Sequence, residues 1–406
     1  MPSRHTPVET TPRSSISSYS ALLPIAVLGL AVLLVVPAEA GRGRRDRNPE
    51  PEPEPVVAPE PVVIPTLEQL FPPVLPLDPG GVPEGIANGT SQACAACHYS
   101  AADQWAESAH AGPHTVFFDT IDDMGMPACG SCHRPISQQW SATVQHVQQD
   151  ASRPVLRDNG LLDLTLQAEG VTCAACHVRD GSVIAAAQSG NAPHAVLVSP
   201  ELGTSGGCAS CHQLTLPDAL APLYDTYGEW ERSPWADAGI GCVDCHVASA
   251  ADGGLSHSMP AQTGKGLSLS VQTAAREIVR GGEAISVELI LQNVGAGHAL
   301  PTGSPFVNWQ LVTWLEGPPR GNASEPSRES EMTIMLARTL TDTAPFAVQD
   351  DTRLAPFEQR EITWSAQLDL DAVQGDWSLV VELSEKVGDT ARTPALRNWR
   401  FPIDVR

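Results

Sequence analysis

The chain has 406 residues, with 47 acidic against 24 basic side chains and a formal charge of −23. That balance argues against nucleic acid as a partner; it suits a basic protein partner, and equally serves solubility. Aromatic residues make up only 5% of the chain, which is low for a chain of this length with ordinary cores.

Residues 1–40 read as an export signal. ALLPIAVLGLAVLLVV (Ala21 to Val36) is apolar but short for a membrane span, and PAEA follows with the small residues Ala38 and Ala40 at the cleavage positions. GRGRRDR after the cut carries four arginines, which favour the cytoplasmic side and make an uncleaved membrane tether the alternative. Residues 41–84 include NPEPEPEPVVAPEPVVIP and FPPVLPLDPGG. Proline this dense removes backbone donors and holds the chain extended, giving a disordered spacer without a core.

Residues 85–263 carry all ten cysteines, in five copies of one pattern: CAACH from Cys94, CGSCH from Cys129, CAACH from Cys173, CASCH from Cys208 and CVDCH from Cys242. Two thiols three positions apart on one helical turn can both add to the vinyl groups of a haem, and the next residue is then held beneath the iron. This is the c-type haem attachment pattern, with histidine as the proximal ligand. Zinc sites would pair the motifs into four-ligand sets and leave one over, and a redox dithiol needs no histidine after the second cysteine. The sequence therefore predicts five covalently bound haem c groups. They are held through Cys94, Cys97, Cys129, Cys132, Cys173, Cys176, Cys208, Cys211, Cys242 and Cys245, with His98, His133, His177, His212 and His246 on the irons. Such attachment takes place outside the bacterial cytoplasm, which places the body of the protein in the periplasm or at the cell surface.

Successive motifs lie 35, 44, 35 and 34 residues apart, separated by short amphipathic stretches with many Gly and Pro breaks. Short helices with little or no sheet are expected here, held together by haem packing. Outside the motifs and the signal lie six histidines: His110, His114, His146, His194, His257 and His298. They are the candidate distal ligands for five irons, with Met124, Met126 and Met259 as lesser alternatives. WAESAHA (Trp105 to Ala111) aligns with WERSPWA (Trp230 to Ala236), so Trp235 stands in the place of His110. Either the haem there draws its ligand from elsewhere or one iron is open.

From residue 264 to 406 the pattern changes. LSLSVQT, AISVELILQNV, VNWQLVTWL, EMTIMLA, REITWSAQL, WSLVVEL and NWRFPIDV are period-two or β-rich runs between polar, Gly or Pro breaks. Seven short strands predict an all-β immunoglobulin-like sandwich, with Ile285, Val287, Leu289 and Leu291 on one buried face and the tryptophans in the core. His298 lies in NVGAGHALPTG, a loop of this domain placed to reach across to a haem.

GVTCAACHVRDG, APHAV before CASCHQ, YGEWERSPWA before GCVDCH, and GHALPTG together resemble the bacterial multihaem c-type cytochromes, akin to the tetrahaem cytochrome that takes electrons from hydroxylamine oxidation. The resemblance spans roughly residues 88–303. It implies that the five motif histidines are proximal ligands and that His110, His194 and His298 are distal ones. The expected architecture is a mainly α and irregular, haem-packed cytochrome c domain followed by the sandwich. The expected function is electron transfer, not catalysis, between redox partner proteins such as other cytochromes or a membrane quinol-linked complex. The alternative is a multihaem oxidoreductase with one open iron acting on a nitrogen or sulfur oxyanion. No motif has Lys for the proximal His, the variant that pentahaem nitrite reductases use.

Overall fold

A computed structural model describes residues 77–112, 126–146, 155–187, 192–216, 219–249, 254–260, 264–273, 278–343, 345–387 and 390–406. The export signal, most of the proline-rich spacer and His114 lie outside them, and of Cys129 and His146 only the backbone is described. Among the described residues no helix is long and apolar enough to cross a membrane.

Each motif occupies about one turn of helix, and the short helices between them end at Gly, Pro or a capping side chain. α1 (Ser91–Ala95) and α2 (Tyr99–Ala106) flank the first motif, with the Thr90 hydroxyl capping α1. α3 (Met126–His133) ends on the second motif, and α4 (Leu164–Ala168) starts where Asp163 accepts the amides of Thr165 and Leu166. α5 (Cys173–His177) is the third motif and α6 (Gly206–His212) closes on the fourth. α7 (Thr226–Glu231), α8 (Pro234–Asp237) and α9 (Cys242–His246) follow.

The expectation of little or no sheet in this region needs correction. β1 (Ala142–His146) pairs antiparallel with β2 (Val155–Asp158). β3 (Val178–Arg179), β4 (Ser182–Ala185) and β5 (Val196–Val198) form a second small sheet. The cause is local: Asp180 and Gly181 both take positive φ, 49° and 69°, the geometry of the two-residue Asp-Gly hairpin turn. A small core of Leu77, Ile136, Leu166, Ala174, Ala175 and Val178 sits beneath. Ala174 and Ala175 are the two residues between the third motif's cysteines and are 4% and 6% exposed, so larger side chains have no room there.

The C-terminal half is β-rich. β6 (Leu267–Thr273), β7 (Ile278–Val279), β8 (Ala284–Asn293), β9 (Val307–Gly317), β10 (Ser327–Leu336), β11 (Arg338–Leu340), β12 (Val348–Asp351), β13 (Gln359–Gln367), β14 (Gly375–Val387), β15 (Thr390–Ala391) and β16 (Arg397–Val405) follow in order. All seven predicted runs are strands; β7, β11, β12 and β15 are too short to show a period. One sheet runs β10-β9-β14-β16-β7, with β15 on β14, and another β13-β8-β6. Both face a single core that includes Leu289, Leu291, Leu311, Leu315, Trp364, Trp377, Leu379 and Val381. Ile285, Val287, Leu289 and Leu291 alternate inward along β8 as the pattern requires. Trp309, Trp364 and Trp377 are core residues, and Trp399 packs half-buried against them. Trp314 is different: it packs on the outer face with Val312 and Val380, beneath the Arg328 guanidinium at 3.9 Å from its ring.

Candidate paired-histidine sites

Among the described residues, four motif histidines stand opposite a histidine from outside the motifs. Ring centres are 6.5 Å apart for His98 and His194, 6.3 Å for His110 and His212, 6.2 Å for His177 and His257, and 6.2 Å for His246 and His298. An octahedral metal binds each imidazole nitrogen at about 2.0 Å. With each nitrogen about 1.1 Å from its ring centre, one ion between two imidazoles sets the centres about 6.2 Å apart. All four separations lie close to that value.

The second ring nitrogen points the same way. His177 Nδ1 donates to the Ile184 carbonyl at 2.9 Å, His246 to Pro260 at 3.0 Å, His257 to Leu255 at 3.1 Å and His298 to Ala299 at 2.9 Å. His194 makes a longer contact to Ala195, at 3.4 Å. A proton fixed on Nδ1 leaves Nε2 as the free ligand atom. Burial lowers the pKa of His110, His177 and His298, and of His212 to about 4, favouring the neutral form that binds a metal.

The third motif shows how sequence builds a site. The Asp180–Gly181 turn folds β4 back over α5, which delivers the Ile184 carbonyl to His177. The buried Arg179 guanidinium donates to the carbonyls of Ala174, Ala175 and Val178 and so closes the C-terminal end of the motif helix. Between His177 and His257 lies a small apolar cleft walled by Cys173, Cys176, Ala101, Ala102 and Trp105.

The Trp105 and Trp230 segments are structural equivalents. Trp105 Nε1 donates to the Val171 carbonyl at 2.8 Å and Trp230 Nε1 to Ile240 at 2.9 Å, each acceptor two residues before a motif. The Val171 amide donates to the His110 carbonyl and the Ile240 amide to the Trp235 carbonyl, both at 2.9 Å. Ser91 Oγ accepts from the Cys173 amide and Ser205 Oγ from the Cys242 amide. The first and third motifs thus form one unit and the fourth and fifth its copy. His110 of the first unit faces His212 of the second. Trp235, its counterpart, stacks on Phe357 at 5.3 Å. The histidine opposite the fifth motif comes instead from the β domain, as His298.

The loop presenting His298 is held from three sides. Asn293 Nδ2 donates to the His298 and Leu354 carbonyls at 2.9 and 3.1 Å. Glu229 on α7 accepts the Ala299 amide at 3.1 Å and the Thr302 hydroxyl at 2.6 Å, and pairs with Arg353 at 2.7 Å. Gly297 lies against the indoles of Trp230 and Trp235, where a Cβ would stand 3.1 Å from the first. The pattern-based reading missed Glu229, Arg353 and the paired serines; the S-x-x-C spacing shared by Ser91 and Ser205 was the one signal available for the last.

The motifs also approach one another. The Cys94 thiol bonds the Cys173 sulfur, which raises the first and lowers the second to about 7. Cys208 bonds Cys242, and Cys211 bonds Cys132, in the same manner. Cys176 is close enough to act electrostatically on Cys208 and Cys211. The sites therefore run first, third, fourth, fifth, with the second beside the fourth. His133 ends α3, while His114 and the His146 side chain lie outside what is described. Met259, weighed above as an axial ligand, lines the cleft with His98 and His177 and places its sulfur 2.9 Å from His110 Nδ1. Among the described residues no three His, Cys, Asp or Glu side chains converge as a zinc site would need.

No family model matches the chain, and no curated protein matches it. Among solved structures it is similar over 34% of its length to a CARDB domain from Pyrococcus furiosus in complex with di-metal ions. Identity there is 11%, TM-score 0.20, and 91% of that chain is covered. A β-glucosidase from Listeria innocua matches at 12% identity and TM-score 0.20 over 16% of its own chain, and the sporulation control protein Spo0M from Bacillus subtilis at 12% and 0.17 over 49%. Scores this low carry no argument about function.

Proposed function

We propose that the protein is an exported pentahaem c-type cytochrome that carries electrons between redox partners, with an immunoglobulin-like sandwich completing one of its sites. The observation that carries this reading is the four histidine pairs, each joining one motif histidine to one from elsewhere at the separation a six-coordinate iron requires. Bound haem would supply one-electron Fe(III)/Fe(II) chemistry. The chain's own part is different. The cysteines would anchor each ring and the paired imidazoles would hold its iron, while backbone carbonyls on Nδ1 fix the orientation of those imidazoles. Two imidazoles on one iron would leave no position for a substrate at these four sites, which favours electron transfer over oxyanion reduction. The close approach of cysteines from successive sites, first to third to fourth to fifth, would suit electron passage between neighbouring haems. Net charge of −23 suits a basic redox partner, and the signal-like N-terminus suits a place in the periplasm or at the cell surface.

The test is intact mass of the denatured protein after expression with a c-type maturation system. Five covalently retained haems are expected, and the visible spectrum should be that of low-spin iron. Retention of zinc instead, or no covalent haem, would overturn the reading.

A further inference from the structure

Residues Leu255–Pro260 serve three sites at once. His257 stands opposite His177, the Pro260 carbonyl accepts the Nδ1 proton of His246, and between them Met259 places its sulfur 2.9 Å from His110 Nδ1. The segment is tied to α2, because the His257 amide donates to Gln104 Oε1 at 2.8 Å. Met259 takes a φ of +40°, a left-handed conformation rare outside glycine, so its placement is maintained against local strain.

His110 is thereby set apart. Nδ1 of His177, His246, His257 and His298 meets a carbonyl oxygen at 2.9 to 3.1 Å, whereas Nδ1 of His110 meets a thioether. A carbonyl is a strong acceptor that makes the imidazole a more basic ligand, which stabilises Fe(III). A thioether sulfur is a weak acceptor and does so much less. Resting on the cytochrome reading, we propose that Met259 is a positioning residue that sets the ligand strength of His110 and so raises the reduction potential of the haem at His212. The electron entering the fourth site, where the line of sites meets the second, would then find a better acceptor than a carbonyl-bonded imidazole allows.

The test uses the full haem-loaded protein, titrated with redox mediators and followed by low-temperature EPR. The His110 and His212 rings are 72° apart, and near-perpendicular axial planes give a distinct, highly anisotropic low-spin signal. Met259→Gln puts an amide oxygen within reach of Nδ1. It should shift that signal's reduction equilibrium about tenfold toward Fe(III), which is about 59 mV for one electron. Met259→Leu keeps the bulk and removes the acceptor, so it should leave the midpoint unchanged or higher. Equal falls in both variants would mean that packing, not the acceptor, is responsible, and would overturn the proposal. So would an unchanged midpoint in Met259→Gln, or a shift confined to another signal, in protein that retains all its haems. Loss of covalent haem from the parent protein would instead overturn the cytochrome reading itself.

Discussion

Arg353→Met should release the His298 loop. The Arg353 and Glu229 side chains are 8% and 9% exposed and paired at 2.7 Å, so the substitution leaves the Glu229 carboxylate buried without its counter-ion. Breaking a buried pair from one side costs about 3–5 kcal/mol. The second partner of Arg353, Asp351, is 36% exposed and adds little, because solvent screens that pair. The cost falls on the docked loop: Glu229 also accepts the Ala299 amide and the Thr302 hydroxyl, and undocking lets water reach the carboxylate. A penalty of about 3 kcal/mol raises the undocked population more than about 100-fold. Amide hydrogen exchange at Ala299 measures it directly, since that amide donates to Glu229. The double variant Glu229→Gln with Arg353→Met keeps a neutral acceptor for Ala299 and Thr302 and should recover most of the lost protection. Exchange at Ala299 within threefold of the parent in Arg353→Met would refute the argument. The pair would then be hydrated and the loop held by its other contacts, among them Asn293 and the Leu300–Leu354 backbone pair.

Other outcomes are specific to single residues. His298→Ala should turn one haem high-spin by EPR while the other signals stay, because His298 alone stands opposite His246. The planes of His246 and His298 are 20° apart and those of His110 and His212 72° apart, so the oxidised protein should show both a rhombic and a highly anisotropic low-spin signal. Trp105→Phe and Trp230→Phe should each lower the thermal midpoint by the equivalent of about 1 kcal/mol, the net worth of an indole hydrogen bond to a buried carbonyl. Gly297→Ala should loosen the same loop that Arg353→Met releases, seen as faster exchange at Ala299, because its Cβ would press on Trp230.

Local chemistry is legible in this chain without coordinates. Five repeats of Cys-x-x-Cys-His define one attachment pattern because thiol spacing and the adjacent imidazole are fixed within a single helical turn. Alternation along Ile285 to Leu291 defines a half-buried strand because successive side chains point to opposite faces. The register of Trp105 on Trp230 is likewise visible, and the hydrogen bonds of both indoles place them alike. What the sequence left open is every partnership across distance. Six histidines outside the motifs and the signal are chemically equal in one dimension. Only the fold sets His194 against His98, passes His110 from one unit to His212 of its copy, and brings His298 from the β domain to His246. The same holds for Glu229 and Arg353, ordinary surface charges by composition, which share a buried site because the loop docks on α7. Met259 shows the limit most clearly. Its residue type made it a candidate axial ligand; the fold, with a left-handed backbone there, sets its sulfur against His110 Nδ1. Periodicity and spacing are properties of neighbours along the chain; ligation is a property of neighbours in space.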